Sequence, residues 1–192
     1  GGRVRELMAR MRRGYARRGA QQVNAKPALT REPLEALLAT CDDSITGLRD
    51  RALLLFAFAS GGRRRSEVTA ATLDNTRRQA DGWVYQMGVS KSNQAGRARA
   101  DSHKPVVGRA AQALDAWLLA WAHAASAAGL PPPSGHLFRR LSKAGSPGAP
   151  LSAQSVRLIV QSRAHLAGLD PAFSAHSLRS GFVTEAAASP AK

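Results

Sequence analysis

Residues 47–62 read GLRDRALLLFAFASGG. After its charged start the run is apolar up to the closing glycine pair, which predicts an apolar helix ended by Gly61 or Gly62. A helix of that kind is stable only when neighbouring elements cover it. No apolar run reaches the roughly 18 residues that read as membrane-spanning. With 192 residues, 44% of them hydrophobic, there is room for one sizeable domain plus an appendage.

The other segments point to mostly helical partners. LTREPLEALLATC predicts a helix with Thr30 as N-cap and Pro33 tolerated in its first turn. RRSEVTAATLDNT reads as a further helix or turn of helix. GWVYQMGVS has strand composition, KSNQAG reads as a turn, and RARADSHKPVV returns as a second strand ending near Pro105. Arg109 to Ala128 forms a long helix with Leu114, Trp117, Leu118 and Trp121 on one side, a core pattern rather than a ligand box. GLPPPSG is a rigid break, and HLFRRLSKAGSPGAP is irregular or a short hairpin. LSAQSVRLIVQSRAHLAG is a helix capped by Ser152, and HSLRSGFVTEAAA is a last helix. The fold class is therefore mainly α with a small antiparallel β-sheet, α+β. Residues 3 to 18 carry Val4, Leu7, Met8 and Met11 at helical spacing among arginines, a basic amphipathic helix followed by a polar linker.

Charge narrows the partner. Lys plus Arg is 28 against 13 Asp plus Glu, a net +15. That excess calls for a polyanion, most simply nucleic acid, with an anionic membrane surface as the weaker alternative. Aromatics make up only 5%, few for the base-stacking platforms of RNA-binding proteins. The single cysteine, Cys41, excludes an internal disulfide and fits a reducing compartment. The basic start lacks the apolar core of a signal peptide. No Cys/His cluster has metal-ligand spacing, and there is no Gly-rich phosphate loop.

Three short motifs carry chemistry if they converge. GGRRRSEV holds Arg64 and Glu67 at i, i+3 after a glycine pair; VSKSNQAG puts Lys91 where a strand meets its turn; HSLRSG puts His176 and Arg179 at i, i+3, on one helix face. Two guanidiniums match phosphate oxygens, a lysine can donate a proton to a leaving oxygen, and an imidazole can share one. Together they would stabilise a pentacoordinate phosphate without a metal. Singly each motif is weak, since an Arg in an Arg-rich chain is usually surface and a lone His usually structural.

Their order and flanks resemble the tyrosine recombinase (phage integrase) family. LRDRALLLFAFASGGRRRSEV, VSKSNQAGR, KPVVGRAAQALDAWL, LFRRLSKAG…LSAQSVRLIVQSRAHLAGLD and HSLRSGFVTEAA follow the family's order from about Leu29 to Ala188. The resemblance implies the recombinase catalytic-domain fold over residues 29–192. It implies that residues 1–28 are the basic end and linker of an N-terminal DNA-binding domain. It also implies double-stranded DNA as partner, a tetramer on that DNA, no cofactor, and a cytoplasmic, bacterial or phage-encoded protein.

The implied chemistry is strand cleavage through a 3′-phosphotyrosyl intermediate. Arg64 and Arg179 would grip the non-bridging oxygens of the scissile phosphate, Lys91 would protonate the departing 5′ oxygen, and His176 would assist proton transfer or hydrogen-bond the phosphate. Glu67 would support the site. Among the adjacent Arg63, Arg64 and Arg65, Glu67 three residues on selects Arg64. The family's nucleophilic tyrosine follows its His-x-x-Arg, whereas the tyrosines here are Tyr15 and Tyr85, in the basic helix and a hairpin strand. The expectation is a catalytic domain incomplete at its C-terminus, inactive alone. A DNA-binding module that never cuts is the alternative. A type IB topoisomerase shares the Arg-Lys-His-Arg set, but the flanks and short hairpin argue against it.

Overall fold

The computed structural model of the protein describes residues 31–61, 64–87 and 102–169. The expected basic helix at 3–18, the Thr30 cap and the last helix after His176 lie outside the described residues.

The elements run α1 (Arg31–Ala39), α2 (Ile45–Ala59), α3 (Arg65–Thr69), β1 (Thr76–Gln79), β2 (Gly82–Gln86), β3 (His103–Val107), α4 (Arg109–Ala127), β4 (Arg139–Leu141), β5 (Pro147–Pro150) and α5 (Ala153–Leu166). Strands β1, β2 and β3 form one antiparallel sheet in that order, and β4 and β5 form a separate hairpin. This is the helix-rich α+β class that the sequence predicts.

Helix α2 is the centre. Ser44 caps it, its hydroxyl accepting the Gly47 N–H at 3.1 Å. Ser60 ends it, and Gly61 follows at φ 95°, a left-handed position that glycine takes without a Cβ clash. Ala52 to Ala57 are all buried, so the helix is covered on every side, chiefly by α4. From α4, Leu114, Trp117 and Trp121 enter the core with Leu118 partly buried, and the Trp117 indole N–H donates to the Leu137 carbonyl at 2.9 Å. Val156 and Val160 of α5 complete the packing. Ser152 caps α5, accepting the Ser155 N–H at 3.1 Å.

The sheet departs from expectation in two places. Residues 76–79, TRRQ, form a strand, so the sheet has three strands rather than two. Only Thr76 of that strand is buried, because β1 lies on the sheet edge and its polar side chains face water. β3 continues past Pro105 to Val107. It is also an edge strand, where a residue without an N–H is tolerated. Gly82 opens β2 at φ 147°, and a Cβ there would meet the Val106 carbonyl oxygen at 2.5 Å.

A buried ionic cluster ties the helices together. Asp50 sits between two guanidiniums: Arg49 donates to Oδ1 at 2.9 and 2.7 Å, and Arg163 of α5 donates to Oδ2 at 3.0 and 2.8 Å. Arg163 also donates to the Thr40 carbonyl at 2.6 Å. Burial works against the charged Arg163, but its bonds and charge pairing with Asp50 outweigh it, holding the guanidinium more firmly protonated than usual. Burial pushes the neighbouring Cys41 thiol up, against the pull of Arg163.

Candidate active site

Arg64 is the N-cap of α3, a position usually held by Ser, Thr, Asp or Asn because their oxygens accept a helix N–H. A guanidinium has only donors and cannot do this. Glu67 compensates from the third helical position. Its Oε2 accepts the Arg64 N–H at 3.1 Å, and its own N–H donates to the Arg64 carbonyl at 2.9 Å. Glu67 thus holds the backbone of Arg64 from two sides. The Arg64 side chain is half-buried, and among the described residues its guanidinium has no hydrogen-bond or ion-pair partner.

A five-residue helix does not persist by itself. Val68 anchors α3 in the core. Its C-terminal carbonyls are taken by side chains from the sheet region: the Tyr85 hydroxyl donates to the Glu67 carbonyl at 2.8 Å, and the Asn75 amide donates to the Ala70 carbonyl at 3.1 Å. Asn75 also accepts the Thr72 N–H on its side chain at 2.7 Å and the Gln86 N–H on its carbonyl at 2.7 Å, joining the exit of α3 to β2. On the other side α3 packs against α5.

Lys91, His176 and Arg179 lie outside the described residues. Met87, the last described residue before Lys91 in sequence, donates its N–H to the Ser102 carbonyl at 2.9 Å and follows β2, the strand that holds Tyr85. His176 and Arg179 follow α5, the helix packed on α3.

Tyr85 is not placed to attack a bound phosphate. Tyr15 is outside the described residues. Tyr85 is 1% exposed, its ring against Phe56 at 5.2 Å and its hydroxyl on Glu67. Composition gives no hint of that hydroxyl's partner, which requires β2 to lie beside α3.

Two groups of basic residues stand apart among the described residues. Arg49, Arg51, Arg78, Arg109 and Arg163 pair with Asp50, Asp43, Asp115, Glu35 and Asp50 respectively. The charged ends of Arg64, Arg65, Arg140, Lys143 and Arg157 have no such partner among the described residues. The second group can take an anion without breaking an internal contact. Among the described residues no three His, Cys, Asp or Glu side chains gather as a metal site, and no helix is long and apolar enough to cross a membrane.

A sequence model of the phage integrase family matches residues 27–189. An integrase/recombinase xerD homolog from Selenomonas ruminantium is 35% identical over 193 aligned positions, covering 97% of this chain and 52% of that protein. The chain thus spans about half the length of that curated relative. Among solved structures, the XerA recombinase superposes with a TM-score of 0.60 at 15% identity, covering 86% of this chain and 52% of that one. The XerH site-specific recombinase, in a pre-cleavage complex with its difH substrate, gives 0.55 at 20% identity, covering 83% of this chain and 42% of that one. At those identities the structures speak to the fold alone.

Proposed function

The chain belongs to the phage integrase family of tyrosine recombinases, and from that premise we propose that it supplies the phosphate-activating half of a site-specific DNA strand-transfer site. Arg64 and Arg179 neutralise the non-bridging oxygens of the scissile phosphate, and their forked donors follow it into the pentacoordinate transition state. Lys91 donates a proton to the departing 5′ oxygen. His176 shares a proton with the phosphate or the attacking group. Glu67 holds Arg64 rather than reacting. The attacking tyrosine is neither Tyr15 nor Tyr85, and the bond energy passes to a 3′-phosphotyrosyl link that a 5′ hydroxyl later displaces. The partner is duplex DNA, held by several copies of the protein.

One observation carries this reading: a half-buried guanidinium with no partner among the described residues stands where a helix normally has an acceptor, with a glutamate binding its backbone. Local rules broken at one position and compensated at the next are the mark of a functional site. The test is strand cleavage of a nicked duplex, from which loss of a short 5′ fragment would trap the covalent adduct. The 192-residue chain is expected to run unshifted on a denaturing gel. In a recombinase joining this segment to the family's tyrosine, Arg64→Ala is expected to slow adduct formation by about a hundredfold or more, as losing a transition-state charge donor does. An adduct through Tyr85, or an unchanged rate in Arg64→Ala, refutes the assignment.

A further inference from the structure

We propose that Tyr85 is a positioning residue for Arg64, setting the guanidinium through α3; this rests on Arg64 being a phosphate ligand. The chain of contacts is short. The Tyr85 ring is fixed in the core at 5.2 Å from Phe56, which is itself 5.5 Å from Phe138. Its backbone is fixed by pairing with Thr76 on one side and Lys104 on the other. The hydroxyl therefore has a set location, and it donates to the Glu67 carbonyl at 2.8 Å. The Ala71 N–H, which a continuing helix would aim at that carbonyl, instead reaches Val68 at 3.3 Å. The tyrosine thus takes the place of a missing helical turn. From Glu67 two further bonds, at 3.1 and 2.9 Å, reach the backbone of Arg64.

Position matters here because a phosphate ligand acts only when its donors meet the oxygens, and errors of about 1 Å cost orders of magnitude in rate. A helix of one turn has little stiffness of its own, so an external tie at its middle decides where its first residue points.

The experiment is a double-mutant cycle read by fluorescence anisotropy, using the 192-residue chain and a duplex selected from a random pool for tight binding. Arg64→Ala is expected to weaken binding about tenfold and Tyr85→Phe about threefold, while the double variant binds like Arg64→Ala. Combined with Arg140→Ala instead, Tyr85→Phe should multiply independently. A merely structural role would lower affinity by the same factor beside either arginine. Full multiplication with Arg64→Ala, or no effect of Tyr85→Phe where Arg64→Ala weakens binding, overturns the inference. No effect of Arg64→Ala itself overturns the phosphate-ligand reading, and Tyr85 then has nothing to position. If Tyr85→Phe does not fold, Glu67→Gln tests the other end of the same chain, since a neutral amide oxygen accepts the Arg64 N–H more weakly. Its effect must also vanish in Arg64→Ala, and independent multiplication again overturns the inference.

Discussion

Replacing Asp50 with asparagine would leave two buried guanidiniums with no counter-charge. Asp50 accepts four N–H bonds, two from Arg49 and two from Arg163, with side chains that are 6%, 10% and 11% exposed. Asparagine keeps one oxygen for one guanidinium and presents an NH2 group to the other, so two charge-assisted bonds become donor against donor. Removing one partner of a buried pair costs about 3–5 kcal/mol, mostly the stranded charge. For a domain of this size each kcal/mol moves Tm by about 2–4 °C, so the expected fall is about 6–20 °C. Thermal unfolding followed by circular dichroism reads it directly. The geometry also predicts an order. Arg49→Met should cost least, because Asp50 keeps its bonds to Arg163. Arg163→Met should cost more, since it also severs the Thr40 carbonyl contact that ties α5 to the end of α1. Asp50→Asn should cost most. A fall below about 2 °C in Asp50→Asn would mean that water reaches the cluster and that the burial argument is wrong.

Binding of the 192-residue chain to duplex DNA should weaken steeply with salt. If Arg64, Arg65, Arg140, Lys143 and Arg157, the five cations named above as having no partner among the described residues, each displace a counterion, the slope of log K against log salt is about −4 or steeper; a flat titration refutes this. In a recombinase joining this segment to the family's tyrosine, Lys91→Ala should regain much of its lost cleavage rate on a 5′-bridging phosphorothiolate, whose sulfur leaves without a proton. Equal loss on both substrates would remove Lys91 from the role of acid. Native Cys41 should react slowly with a maleimide at pH 8 and fast in denaturant, because it is buried and its thiol is pushed up. The sign of the linked stability follows. The folded state favours the neutral thiol, so this contribution is present below the ordinary thiol pKa and is lost as pH rises through the higher folded value. Cys41→Ser should flatten that alkaline decline.

What the sequence reveals is what depends on near neighbours. The apolar run of α2, the spacing of Leu114, Trp117 and Trp121, and the caps Ser152 and Gly61 are local signals, and the structure uses each of them. β1 escaped because TRRQ carries no apolar alternation; as an edge strand it buries only Thr76. Asp50 escaped for a different reason. Arg-Asp-Arg within a helix reads as solvated charge, and the partner that makes it a core residue, Arg163, stands on another helix far along the chain.

The site shows both kinds of information at one place. That Glu67 belongs with Arg64 was legible from their i, i+3 spacing and the family resemblance, and in the structure the glutamate reaches back to the Arg64 N–H. That Tyr85 completes the arrangement was not, because its hydroxyl finds Glu67 only once β2 lies beside α3. The division follows from α3 being so short. Its start is set by its own residues, while the turn it lacks at its end has to be supplied by a strand. Among the described residues, the bonds that hold Arg64 are made to its backbone or pass through Glu67, and none is made to its guanidinium. Holding by the backbone leaves the five N–H donors of the guanidinium available to phosphate oxygens.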